Sequence, residues 1–295
     1  MKTIVTLALL SLGSLARAVE PDMNLTTTKL GDGLFLIMGP GGNIVLEVGK
    51  DAVFLVDDQV APLTPKLKAE ILKVTDKPVR FVVNTHWHGD HTGGNEAMGD
   101  SGAVIVAHDN VRKRLSTEQF MALFNKKVPP APEKALPVVT FAEGLTFHVN
   151  GDEMQVFHVD PAHTDGDSFV YFKKADLLHM GDVFTPAGYP FVDLGSGGKV
   201  EGFIKDADRA LAMVHDKTRI VGGHGPMTDK VKLKAWRDML ATIRDRVAKL
   251  IAAGKSLADV KAAKPTAEYD AVWGKAFIKP DVLVETFYQD LSAKK

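Results

Sequence analysis

Residues 85–91 read Thr-His-Trp-His-Gly-Asp-His, so four metal-binding side chains fall within six positions. In an extended segment residues two apart point the same way, and His86 and His88 can face one ion together. Gly89 lets the chain bend, which carries Asp90 and His91 toward a second ion. Three further candidates stand later in the chain: His163 in Pro-Ala-His-Thr-Asp, Asp182 in His-Met-Gly-Asp, and His224 in Gly-Gly-His-Gly-Pro. Each is flanked by turn residues that expose a side chain at a sheet edge. Taken singly, His163 and His224 would be ordinary loop histidines; the company of the 85–91 run promotes them. Seven ligand-type residues are too many for one tetrahedral site. The chain has no cysteine, which excludes thiolate ligands, disulfides and a cysteine nucleophile. A donor set of imidazoles and carboxylates suits two Zn2+ ahead of iron or manganese.

These residues need strand ends to hold them. Leu34–Met38, Asn43–Val48 and Ala52–Val56 are apolar runs separated by turns, and read as an antiparallel meander. Pro62–Val74 carries Leu63, Leu67, Ile71 and Leu72 at helical spacing. Val79–Val83 is a buried strand that delivers the chain to Asn84 and the histidine run. Ala103–Ala107 is another strand, and Val111–Phe124 reads as a helix. Short strands are expected at Leu145–Val149, Met154–Val159, Ser168–Phe172, Asp176–Met180 and Arg219–Val221, with a helix over Gly202–Val214. The longest helix is Asp229–Ala253, with Thr228 as its N-cap and Gly254 at its end. Two similar halves of strands and helices suggest an α/β fold. Its form would be a four-layer αββα sandwich, two mixed β-sheets with helices outside and the site where strand ends meet.

The 85–91 run, followed in order by His163, Asp182 and His224 and preceded by an acidic strand end at Val56-Asp57, resembles the metallo-β-lactamase-fold superfamily. The resemblance covers the chain from about Gly31 onward. It implies that His86, His88 and His163 hold a first ion, that Asp90, His91 and His224 hold a second, and that Asp182 bridges the two. It further implies a metal-bridged hydroxide as nucleophile, oriented by Asp90, and a supporting role for Asp57 behind a ligand histidine. Trp87 and Phe184 flank ligand positions and are candidates for the pocket wall, although packing is the better reading. His108, His148, His158, His179 and His215 match no ligand position.

The fold does not name the substrate. Relatives specialised for β-lactams usually carry Cys or Ser where this chain has Asp182. Asp there is typical of broader hydrolases of thioesters, lactones, phosphodiesters and sulfate esters. The lactam specialists also place a lysine three residues on to bind a substrate carboxylate, and Thr185 stands there instead. Lys199, in the segment 192–199 that resembles their covering loop, is a candidate substitute. Gly39–Gly42 leaves only a small turn where those enzymes have a longer flap, so the site should be open. The leading expectation is a hydrolase that opens a cyclic amide or ester, with β-lactams as weak substrates. Thioester or phosphodiester hydrolysis is the enzymatic alternative. An iron-binding redox or sulfur-metabolism relative is the other; its usual di-iron pattern has Glu where this chain has His88.

Composition sets the remaining bounds. The 295 residues are 45% hydrophobic and 25% charged, with a formal net charge of −1. No basic excess points to nucleic acid, and a small molecule is the expected partner. Lys2, an apolar run from Ile4 to Leu15 and the small-x-small site Ala16-Arg17-Ala18 read as a signal peptide over 1–18. A single domain over 19–295 follows. No later stretch approaches the ~20 apolar residues of a membrane span. Secretion, into a bacterial periplasm, is the expected location.

Overall fold

The apolar residues of the strands decide the architecture, because most strands are buried on both faces. In the computed structural model, which describes residues 23–293, the first half of the chain forms β1 (Thr26–Gly31), β2 (Leu34–Met38), β3 (Ile44–Val48), β4 (Val53–Val56), β5 (Phe81–Val83) and β6 (Val104–His108). A short hairpin follows, β7 (Gln119–Met121) and β8 (Lys126–Val128), and then β9 (Val139–Phe141). The first sheet runs in the order β1-β2-β3-β4-β5-β6-β9. It is antiparallel as far as β4 and parallel beyond it. The second sheet holds β10 (Gly144–Val149), β11 (Asp152–His158), β12 (Ser168–Phe172), β13 (Leu177–His179) and β14 (Arg219–Val221), with only the last pair parallel.

Alternation along each strand then builds four layers. Val45, Phe54, Val56, Val83 and Val106 meet Met154, Val156, Val170, Phe172 and Val221 between the sheets. Their sequence neighbours Ile44, Leu46, Val53, Leu55, Val82 and Ile105 face outward. They are covered by Leu67 and Ile71 of α1 (Thr64–Leu72) and, beyond the site helix α2 (Gly89–Thr92), by Met98 of α3 (Asn95–Asp100). Past α4 (Asp109–Leu115), the outer face of the second sheet lies under α5 (Val200–Met213), α6 (Lys230–Ala252), α7 (Leu257–Ala262), the short α8 (Asp270–Trp273) and α9 (Pro280–Ser292). Trp236, Leu240, Ile243 and Val247 of α6 form the stripe that seals this layer. The αββα sandwich with mixed sheets is therefore the fold.

Two local readings are corrected. The helix expected over Val111–Phe124 stops at Leu115, and Gln119–Val128 turns back as the β7–β8 hairpin. The turn needs Asn125 at φ +47, a left-handed conformation that Asn tolerates and that a helix cannot contain. The N-cap of α6 is Asp229, whose side chain accepts from the Lys232 N–H, and not Thr228, whose backbone is paired with Ile220. The proposed leader over 1–18 lies outside the described residues. Among the described residues no helix is long and apolar enough to cross a membrane.

Candidate metal centre

Three strand ends and the β11–β12 loop bring all seven candidate ligands to one place. Strand β5 ends at Val83, and Asn84 continues the sheet bonding to Val106 before the chain turns. His86 and His88 follow in irregular backbone, and α2 then presents Asp90 and His91. His163 stands in the loop between β11 and β12. Asp182 stands in a 3-10 turn after β13, and His224 follows β14. Metal-competent atoms of His86, His88 and His163 lie within 4.8 Å of one another, as do those of Asp90, His91 and His224. A third group, His86, His91 and Asp182, joins the two.

Asp182 spans both clusters. Its Oδ1 is 3.1 Å from His91 Nε2 and 3.5 Å from His224 Nε2, and its Oδ2 is 3.5 Å from His163 Nε2. The approach depends on Gly223: a Cβ there would lie 1.8 Å from Asp182 Oδ1. On the other side, a Cβ on Gly42 would lie 2.3 Å from the His91 ring. The Gln59 side chain clamps that turn, accepting from Gly41 N–H and donating to the Gly42 carbonyl.

Four of the five rings are oriented by a partner behind them. His91 Nδ1 donates to Asp57 Oδ2 at 2.7 Å. Asp57 also accepts from the Thr85 N–H and hydroxyl, and the same hydroxyl lies 3.0 Å from His86 Nδ1. Asp57 thus fixes two rings, one directly and one through Thr85. Its own backbone sits at φ +62, which costs on the order of 1–3 kcal/mol and is held by its neighbours. His163 Nδ1 donates to the Phe191 carbonyl at 2.6 Å. His88 Nε2 donates to Asp193 Oδ2 at 3.0 Å. The sequence offered no signal for Asp193 or Thr85, since only the fold carries them behind a ring.

With these N–H groups directed outward, lone pairs converge inward. His163 Nε2 and His88 Nδ1 are 2.7 Å apart, and both are acceptors when the rings are neutral. Buried His86 Nε2 and Asp182 Oδ1 have no hydrogen-bond partner. Acceptors gathered this closely out of water are stable only around cations, either protons or metal ions. Without metal, protons take that place unequally. Burial lowers His86 far below its ordinary range and His163 to about 4. At His91 burial acts the same way, but the Asp182, Asp90 and Asp57 carboxylates overcome it and raise the ring well above the usual value. At His224 burial is likewise outweighed, chiefly by Asp182, and the ring rises to about 10. Burial opposes ionisation of Asp90 and Asp182, yet the surrounding imidazoles hold both carboxyls below their ordinary range. The donor set and its orphaned acceptors fit metal ions.

A cavity of about 650 Å³ opens over this floor. His88, Asp90, Asp182 and His224 line its base, and Met121, Phe124, Tyr189, Phe191, Phe277 and Ile278 line its walls. The three candidate substrate contacts are not among the lining residues, and Trp87 and Phe184 pack instead. Trp87 is buried against Ala107, Val111 and Leu115, with its Nε1–H donated to Ser196 Oγ. Phe184 is buried edge-on against Trp236. Lys199 pairs with buried Asp290 at the start of α5. Among the histidines set aside, His179 bonds the Asn43 carbonyl and His108 stacks on His158. None of the five belongs to the three metal-competent groups.

Against known proteins, a family model described as the metallo-beta-lactamase superfamily matches residues 35–255. The Caenorhabditis elegans "Beta-lactamase-like protein 2 homolog" is 26% identical over 219 residues, 69% of this chain and 65% of that protein. The chain thus spans just under two thirds of that relative. The Bacillus subtilis "Probable metallo-hydrolase YqgX" is 27% identical over 196 residues, 61% of this chain and 86% of that one. Among solved structures, a metallo-beta-lactamase from Pontibacter korlensis superposes with a TM-score of 0.61 at 22% identity, covering 74% of this chain and 99% of that one. This last likeness concerns the fold.

Proposed function

The chain belongs to the metallo-β-lactamase superfamily, and from that membership we propose that it is an exported hydrolase holding two zinc ions and opening a cyclic amide or ester. The observation that carries the two-ion reading is Asp182, with one carboxylate oxygen toward each imidazole cluster. His86, His88 and His163 would hold one ion and Asp90, His91 and His224 the other, with Asp182 shared. Imidazole-rich N and O donors favour zinc. When bound, such ions supply Lewis acidity at the substrate oxygen and a water acidified toward pKa ~7.

The protein's own groups do the positioning. Asp90 is kept ionised by His91 and His224 against the pull of burial, so it accepts hydrogen bonds only and can orient an attacking water. Asp57, Asp193 and the Phe191 carbonyl hold the rings in single tautomers, so the floor needs no rearrangement to bind. A carboxylate at position 182, and no lysine or arginine beside it, favours lactones and related esters over β-lactams, for which turnover should be weak.

Elemental analysis of the metal-replete protein, with a chromogenic panel of lactam, lactone, thioester and phosphodiester, tests this reading. Two zinc ions per chain and lactone turnover are expected. One ion, or iron in place of zinc, overturns the metal assignment. Turnover confined to thioesters or phosphodiesters moves the substrate class to the alternative. Export rests on the leader-like residues 1–18; mass spectrometry of protein recovered outside the cytoplasm should find a chain starting at Val19.

A further inference from the structure

The cleft has two kinds of wall, and the apolar one has no role in holding the ligand residues' charge. Phe191 connects the two. Its carbonyl orients His163, and its ring lies parallel to His88 at 5.8 Å. Phe124 packs edge-on to Phe191 at 6.2 Å, and Phe277 stacks on Phe124 at 5.9 Å. The three rings come from three separate segments: the β7–β8 hairpin, the loop before α5 and the turn before α9. Yet Phe124 is 49% and Phe277 63% exposed, while seven of the largest fully buried side chains elsewhere are Phe or Trp that reach the core completely. Large rings held together but left wet, at the mouth of a cavity that converges on a reactive floor, are arranged to be covered by something apolar. The Tyr189 hydroxyl is spent on Asp270, so that ring also presents its apolar face. Lys126 is the one lysine or arginine among the lining residues.

We propose that Phe124, Phe191 and Phe277 form a subsite for an apolar substituent, and that the substrates are lactones or esters carrying an alkyl or aryl group of several carbons beside the scissile bond. This rests on the hydrolase reading above. In the reaction water adds across the acyl C–O bond: the C–O bond breaks, a C–OH bond forms, and the products are a carboxylic acid and an alcohol, joined as a hydroxy acid when the substrate is a lactone. The substituent takes no part in these bonds. It contributes by leaving water for the ring cluster, and about 0.8 kcal/mol per buried methylene corresponds to as much as about fourfold in kcat/KM. A cavity of about 650 Å³ is in the range that encloses most of a drug-sized ligand.

The test uses the zinc-loaded full chain and a series of γ-lactones with side chains from methyl to octyl. In wild type, kcat/KM should climb about two- to fourfold per methylene until the cleft is filled, mainly through KM. Phe277→Ala and Phe124→Ala should flatten that slope, while Leu72→Ala, an exposed apolar residue on α1, should keep it. A flat series in wild type, or an unchanged slope in both Phe variants, overturns the subsite. A binding arm separates this from failure of the hydrolase reading. The fluorescent probe 8-anilinonaphthalene-1-sulfonate should bind wild type, be displaced by the octyl lactone, and bind the Phe124→Ala/Phe277→Ala double variant at least about tenfold more weakly. Displacement without turnover of any lactone sinks the hydrolase reading and keeps the apolar site. Absence of displacement overturns the apolar site even if short lactones are hydrolysed.

Discussion

The floor of the cleft and its apolar wall are built on opposite principles. The floor is made of mostly buried polar side chains, and four of its five rings are each held by a named partner behind them. The wall is made of aromatic side chains on a hairpin and two loops, with Phe124 and Phe277 about half exposed and packed on Phe191 and on each other. The difference follows from what each must do. Metal ligation tolerates errors of a few tenths of an ångström and demands rigid support. Apolar contact is non-directional, scales with area, and works on a surface that adapts. Changes to the floor should therefore act steeply on metal and turnover, and changes to the wall shallowly, on substrate preference alone.

The steepest break should come at Asp182. Asp182→Ala removes the only carboxylate among the described residues that faces both clusters, and leaves His91 and His224 without the charge that most raises them. Loss of the second zinc ion and at least about a 100-fold fall in kcat are expected, since Lewis acidity in such sites is worth several kcal/mol. Zinc content and kcat measured on one preparation check it. Full zinc with wild-type kcat would remove Asp182 from the centre and with it the two-ion reading.

Smaller but still on the floor are the residues behind the rings. Asp57 supports His91 directly and His86 through Thr85, whereas Asp193 supports His88 alone. Asp57→Asn should weaken zinc binding about 10–100-fold, and Asp193→Asn less, toward the low end of that range. Phe277→Ala should stay within about twofold of wild type in the same chelator competition, as an exposed side chain away from the ligands. If Asp193→Asn exceeds Asp57→Asn, the ranking by number of supported rings is wrong. If Phe277→Ala matches either, floor and wall are not separable.

The same division explains what could be read from the sequence. The ligand set was legible because it is concentrated: four of seven candidates lie within residues 86–91, and the others sit in turns after or between strands marked by Gly and Pro. The strands were legible because apolar runs bounded by turn residues leave little choice, as at Ser168–Phe172 and Arg219–Val221, which match residue for residue. The wall was not legible. Gln119-Phe120-Met121 and Lys126-Lys127-Val128 are too short to show a strand period, and Asn125 in a left-handed turn resembles any polar residue in a helix. Trp87 follows the packing reading: it sits between His86 and His88 in sequence, but alternation turns its side chain away from theirs and into the core. Asp193 could be recognised only once the fold had placed it against His88.

The smallest expected effect isolates the premise on which the floor depends, that imidazoles and not burial set the charge of its carboxylates. Asp206 of α5 is the control. It is buried, accepts only the Asp160 N–H through Oδ1, and leaves Oδ2 without a partner. Without an imidazole beside it, burial dominates and raises its pKa to about 8. In the unfolded chain the same group should titrate near ~3.9. Between these values the folded protein holds a proton that the unfolded chain has released. The unfolded state then binds fewer protons, and stability falls as pH rises through the window from about 4 to about 8. Asp206→Asn has the shape of the protonated side chain and no charge to lose. Its thermal stability relative to wild type should improve steadily from pH 5 to pH 8, by at least about 1 kcal/mol, or roughly 2–4 °C for a chain of this size. Thermal unfolding of both proteins at pH 5, 6.5 and 8, on metal-free samples, provides the measurement. Parallel curves would mean that burial in this fold does not raise an unpartnered carboxyl. The low pKa values of Asp90 and Asp182 would then need no help from the histidines around them, and the electrostatic contrast between the floor and the rest of the core would disappear.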